Sequence, residues 1–385
     1  MKKFFYVAIA ATALASCSSD NLVDLKEGDE IKITAVADND SRAADVWCNN
    51  NKPADFRVWA NSGSKAFMAD ELYKEDGAVY TSDVVRYWPE EAAVDFYGLK
   101  YVGDVTYASG GVPSIVNYSP ATNADEQQDI IYATTPAQTK AVGTVPMNFR
   151  HALSQVEFMA VNNNPTIKVF VKNVRVGNAV GQGTFTLPTS TTDDNFEDET
   201  HGTTTTPTTP TGTFNQGVWT YPTTAVYSTY TVATQAHETA LTDEASSLTL
   251  STGDAITSTT DHETESIKES LMLIPTGTEA TTPWNPTSTI DATTGSYLGI
   301  DVVIQNIVTV EDVEYATEIY SGWAYVPASF NWVQGKRYVY TFSFSAGNDG
   351  GYRADGTPVL ENINLSVTVD DFVWGGETIQ EMVTE

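Results

Sequence analysis

The sequence predicts an all-β protein of two β-sandwich domains behind an N-terminal lipoprotein signal peptide. Three observations predict it. From Ile31 onward apolar and polar residues alternate with a period of two, the period of a strand with one buried face. The alternating runs are rich in Val, Ile, Tyr, Phe and Thr, and clusters of Gly, Pro, Asn and Asp separate them. No long segment carries a helical period, and so many short strands in 385 residues exceed what one sandwich holds.

Residues 1–16 read as a processing segment. Lys2 and Lys3 form a basic start, and FFYVAIAATAL is apolar but too short to span a bilayer. LASC, Leu14 to Cys17, then resembles a bacterial lipobox, with small residues before the cysteine. That resemblance implies cleavage and lipidation at Cys17; the alternative is an ordinary secretory signal with a chance cysteine. Residues 17–30 are polar and read as a flexible tether. The first strand is IKITAVA, residues 31–37, followed by a polar turn that holds Arg42, the first arginine of the chain. FRVWA from Phe56, VDFYGLKYV from Val94, DIIYAT from Asp129, VPMNFRHALSQVEFMAV from Val145 and TIKVFVKNVRV from Thr166 continue a first domain over 31–188.

From Thr189 to Thr213 the composition shifts to Thr, Pro and Asp, and neither Lys nor Arg occurs between Arg175 and Lys268. This tract reads as a linker or long loop. The second domain, 214–385, holds SLTLST from Ser247, SLMLIP from Ser270 and YLGIDVVIQNIV from Tyr297. VEYATEIYSGWAYV from Val313, KRYVYTFSFSAG from Lys336 and INLSVTVDDFVW from Ile363 complete it.

Charge and chemistry exclude several functions. Fifty acidic residues against twenty basic ones give a net charge of −30. Phosphate backbones need a Lys/Arg surface, so no nucleic-acid partner is expected. Cys17 and Cys48 are the only cysteines, too few for a disulfide framework or a thiolate metal cage. The histidines are His151, His201, His237 and His262. His237 and His262 precede Glu, but Leu241 and Ser266 stand where a zinc helix needs its second His. His151 sits among apolar strand residues and reads as a hydrogen-bonded structural histidine. Asp349 and Asp355, in NDGGYRADG, lack the spacing of a calcium loop and read as a Gly/Asp turn. In DNDSRAAD, Arg42 occupies a ligand position, and Asp370–Asp371 is a pair such an acidic chain makes by chance. No nucleophile–base set can be assembled, so no enzyme, cofactor or metal is expected. Trp219, Tyr221, Trp284, Trp323 and Trp332 read as strand and core aromatics, with an exposed sugar platform as the alternative.

Four stretches in order resemble the fimbrillin family, the type V pilins and fimbrillin-like proteins of Bacteroidota. They are RYWPEEAAVDFYGLKYV from Arg86, DIIYAT followed by VPMNFRHALSQVEFMAV, YVPASFNWVQGKRYVYTFSF from Tyr325, and GTPVLENINLSVTVDDFVWGGE from Gly356. The resemblance covers nearly the whole chain. It implies two sandwiches of transthyretin-like topology, a lipid anchor at Cys17 in the outer membrane, and cell-surface assembly into a fimbrium. It also implies cleavage by an arginine-specific protease after the first strand, matched here by Arg42 and Ala43, with Arg57 as an alternative inside a strand. Other fimbrial subunits are then the partners, each supplying a strand to the vacated groove. The donor would lie in GGETIQEMVTE, with Ile379 and Val383 facing inward; a chain that donates none would be a tip or accessory subunit. The competing reading is a surface lipoprotein that binds glycans and does not polymerise.

Overall fold

In the computed structural model the described residues are 30–37, 53–90, 92–189, 191, 216–233, 248–250, 270–277, 280–347, 351–359 and 363–373. In chain order the strands are β1 (Lys32–Ala37), β2 (Asp55–Ser62), β3 (Lys65–Asp76), β4 (Val79–Ser82), β5 (Val94–Lys100) and β6 (Ser114–Tyr118). Then come β7 (Ile131–Gln138), β8 (Thr144–His151), β9 (Ser154–Asn162), β10 (Ile167–Val180), β11 (Gly183–Thr186), β12 (Val218–Thr220) and β13 (Tyr227–Ala233). The last are β14 (Leu248–Leu250), β15 (Leu271–Leu273), β16 (Tyr297–Val310), β17 (Val313–Pro327), β18 (Lys336–Ala346) and β19 (Ile363–Val373). Among the described residues the only helical pieces are two short 3-10 turns, so the all-β expectation holds.

The N-terminal strands close into a barrel in the order β1-β4-β3-β2-β5-β7-β8, where the sequence predicts a β-sandwich. Closure depends on β1, which pairs on both edges and leaves no free strand edge between β4 and β8. Phe56, Val58, Phe96, Val145, Met147 and Phe149 point into its core. The C-terminal strands form two facing sheets, β13-β10-β16-β17 with β14 beside β10, and β15-β9-β18-β19. Alternate residues of β9, β10, β16 and β18 fill the space between them, together with Phe330 and the fully buried Trp332. A small sheet, β12-β11-β6, packs Phe185 and Ile115 against Trp59, Tyr97 and Tyr132 of the barrel.

The chain changes sheets at Ala152–Leu153, well before residue 188. FRHALSQVEF was expected as one strand; it is two, β8 in the barrel and β9 in the facing sheet. β9 runs parallel to β18 and β10 antiparallel to β16, so residues 154–180 pair with strands far beyond the expected boundary. β11 and β12 lie on either side of the Thr-rich tract in sequence and pair with each other in one sheet. A composition shift marks solvated chain, but it carries no information about which sheet the flanks join. β3 escaped the sequence reading because its alternation is broken. A bulge lies opposite Val58–Ala60, and Asp70 adopts φ 60°, so KAFMADELYKED shows no clean period.

Candidate functional site

The site is the slot that β1 fills. Alternation puts Ile31, Ile33 and Ala35 on the inner face, exposed by 2%, 0% and 6%, while Lys32 and Thr34 are half-buried on the other face. β1 runs parallel to β8 from Lys32 opposite Thr144 to Ala37 opposite Phe149. Its other edge is held more sparsely. Ile33 pairs with Tyr80 of β4, Glu30 bridges to Tyr87, and the Ile31 N–H donates to the Arg86 carbonyl at 2.8 Å. Burying two isoleucine side chains contributes about 1.5–3 kcal/mol each. That is the main apolar anchor of this edge of the barrel.

The walls of the slot are aromatic. Phe56 lies 4.8 Å from both Tyr80 and Phe149, and Trp88 meets Phe96 edge-on at 5.8 Å. The Tyr80 hydroxyl donates to the Pro53 carbonyl at 2.9 Å, and burial pushes its pKa up to about 12. The segment 83–90 runs along the sparsely held edge, and two ion pairs to β3 tie it down, an exposed one from Lys74 to Asp83 at 3.2 Å and a half-buried one from Arg86 to Glu71. Arg86 Nε donates to both oxygens of Glu71 on β3 at 2.9 and 3.1 Å, and its Nη2 closes a second bond to Oε1. The Glu71 side chain is only 8% exposed, so the guanidinium is its counter-charge away from water. Nothing in RYWP marks Arg86 for this role. The Arg-to-Glu71 spacing of fifteen residues has no local signature.

Cys17, Arg42, Ala43, Cys48, His201, His237, His262, Asp349 and the tail after Val373 lie outside the described residues. Arg57 sits in β2 and pairs with Asp70 at 3.1 Å. Arg150 is buried, and Arg175 lies 4.1 Å over the Trp323 ring while donating to the Tyr325 hydroxyl. Arg353 is exposed, but it caps a tight turn, with its N–H on the Thr357 carbonyl and its Nη1 on that of Pro358. A protease needs its substrate extended, so neither a strand nor this turn suits it.

The aromatic residues do not assemble into one exposed face. Trp284 and Trp332 are buried to 1% and 0%, Trp219 donates from Nε1 to the Ala152 carbonyl, and Arg175 covers Trp323. Tyr221 is exposed and donates to the Pro275 carbonyl. His151 Nδ1 lies 2.7 Å from Asp129 Oδ2 in a buried pair, the hydrogen-bonded setting expected of it. Among the described residues no group of three or more His, Cys, Asp or Glu is placed to hold a metal, and no helix is long and apolar enough to cross a membrane.

Asp355 serves its own turn, accepting from the Thr357 hydroxyl at 2.6 Å and amide at 2.9 Å; Asp291 does the same with Thr293. Those hydroxyl and amide donors hold both carboxyls below their ordinary value of 3.8. A lowered folded-state pKa stabilises the turn fully above the unfolded value and loses that contribution as pH falls through the folded one. Acid titration is therefore expected to loosen the Thr293 and Thr357 amides only below the usual carboxylate range. Their NMR shifts against pH would check this, and a transition near neutrality would contradict it.

A fimbrillin-like family model matches residues 19–371. Among solved structures the chain is similar to a fimbrial protein from Bacteroides vulgatus ATCC 8482, at 14% identity over 88% of this chain and 98% of that one, with a TM-score of 0.50. It is also similar to a putative cell adhesion protein from Bacteroides uniformis ATCC 8492, at 12% identity over 90% and 99% of the two chains, with a TM-score of 0.40. No curated protein matches.

Proposed function

This chain belongs to the fimbrillin-like family, and from that membership we propose that it is a fimbrial, adhesive subunit of the cell surface whose first strand is exchangeable. It reaches the outer membrane lipidated at Cys17. An arginine-specific protease then cuts between Arg42 and Ala43, which separates β1 from the rest of the chain. A strand from another subunit replaces β1 and the contact repeats head to tail. An open-ended contact of that kind builds a filament.

The observation that carries this reading is β1 itself. It closes a barrel, it is anchored by the inward side chains of Ile31, Ile33 and Ala35, and its partners β4 and β8 are separate strands of the chain. Once the covalent link is cut, only these non-covalent contacts retain it. The vacated slot would expose two strand edges and an apolar floor, both unfavourable in water and both matched by an incoming strand with alternating apolar residues.

The test uses the full precursor carrying Cys17→Ser, treated with an arginine-specific protease. The expected result is one cut, a new N-terminus at Ala43, and a ladder of multimers on mild denaturing gels. An uncut chain, a cut confined to Arg353, or a clean cut without multimers would overturn the reading.

A further inference from the structure

β8 is held unequally by its two neighbours. Its β1 edge is paired over the whole of β1, Lys32 to Ala37. Its β7 edge has only Ile131 opposite His151 and Tyr132 opposite Arg150. Continuing that register would place Pro136 directly opposite Pro146. Neither has an N–H to donate, so the ladder cannot be completed through this point. Thr135 Oγ1 compensates in part by donating to the Pro146 carbonyl at 2.6 Å.

Thr191 fills the break. Its N–H donates to the Thr134 carbonyl at 2.8 Å, and its Oγ1 accepts from the Thr134 N–H at 2.9 Å. Its hydroxyl proton lies between the carbonyls of Thr134, at 3.0 Å, and Asn148 on β8, at 3.1 Å. Its own carbonyl accepts from Arg150 Nη2 of β8 at 2.9 Å. The residue is fully buried, and none of these bonds involves β1.

We propose that Thr191 is a latch: a positioning residue that keeps β8 in place once β1 has gone, so that the slot persists for a replacement strand. This rests on the reading that β1 leaves. Without β1, β8 would hang on two residue pairs with both edges open, an arrangement expected to fray. The latch ties β8 to β7 by bonds that β1 neither makes nor breaks. Valine has the shape of threonine without the hydroxyl, so Thr191→Val removes the hydroxyl's bonds to the Thr134 N–H and to the Thr134 and Asn148 carbonyls, while the backbone bonds to the Thr134 carbonyl and Arg150 remain.

The experiment keeps the full chain and displaces β1 with Ile33→Asp. Hydrogen exchange at the β8 amides is compared in wild type, T191V, I33D and the double variant I33D/T191V. Protection of β8 is expected to survive in I33D. In the double variant it should fall by roughly tenfold to a hundredfold beyond the sum of the single effects, the scale of one to two lost hydrogen bonds. T191S in the I33D background should restore it. Additive effects would overturn the latch, as would loss of β8 protection in I33D alone, whether β8 frays by itself or the barrel melts with it. Ile33→Ala, a milder displacement, provides the same coupling measurement in a chain that stays folded. Binding of a peptide of residues 30–37 to the I33D chain tests strand replacement separately: a protected β8 that binds no peptide refutes replacement and leaves the latch standing.

Discussion

Ile33→Ala is expected to destabilise the barrel by about 2–5 kcal/mol, and Ile33→Asp by more. Ile33 is fully buried and sits where β1 meets both Tyr80 of β4 and Val145 of β8. Truncation to alanine removes three carbons from the middle of a strand that has only two large inward side chains. The cavity falls at the seam between β4 and β8, opposite Tyr80 and Val145. Aspartate adds an unpaired carboxylate to an apolar slot, and expulsion of the whole strand relieves that cost. Lys32→Ala provides the control, because its side chain lies on the other face and its loss should cost within about 0.5 kcal/mol. Denaturant unfolding would measure both. The barrel and the facing sheets have separate cores, so the transition need not be two-state, and the barrel's own transition is the one to follow. Equal midpoints for I33A and K32A would show that β1 does not anchor the barrel.

Arg86→Ala is expected to cost about 3–5 kcal/mol, because it leaves the Glu71 carboxylate buried without its counter-charge. The effect should reach β1 as well. The Arg86 carbonyl receives the Ile31 N–H and the next residue, Tyr87, bridges to Glu30, so loosening of segment 83–90 frees the start of the strand. The double variant Glu71→Leu with Arg86→Met should recover most of the loss, since a hydrophobic pair of similar volume needs no desolvation. Thermal unfolding of the three chains would decide it, together with exchange at the Ile31 and Ile33 amides. A single variant as stable as wild type would show that Glu71 finds solvent, and that the ion pair contributes little to holding β1.

The legible part of this fold was the part written in local pattern. IKITAVA was legible because its alternation is regular, and regular alternation needs only one buried face; FRVWA, VDFYGLKYV and the paired runs from Tyr297 and Val313 were legible because β-branched and aromatic residues fill them. β3 was not legible, because a bulge and a left-handed Asp70 break its period. The turn at Ala152–Leu153 was not legible either. Both residues are apolar and fully buried, so nothing in HAL resembles a solvated turn. The candidate site divided the same way. The inward residues of β1 could be read directly, whereas Glu71, Arg86 and Thr191 could not, since each acts on a residue distant in sequence.

What the sequence determined by itself is the class of the protein: all-β and acidic, with a first strand whose inward residues are Ile31, Ile33 and Ala35. Period, composition and charge are local properties, and local properties survive in a string of letters. What only the tertiary structure decided is how that strand is held. It runs parallel to β8 and antiparallel to β4, it turns an expected sandwich into a closed barrel, and its neighbour β8 depends on a threonine beyond β11. The β1–β8 pairing joins residues more than a hundred apart in sequence, and the β1–β4 pairing joins Ile33 to Tyr80. Two prolines that oppose each other only in the folded register, Pro136 and Pro146, explain why the β7–β8 pairing had to be completed by Thr191.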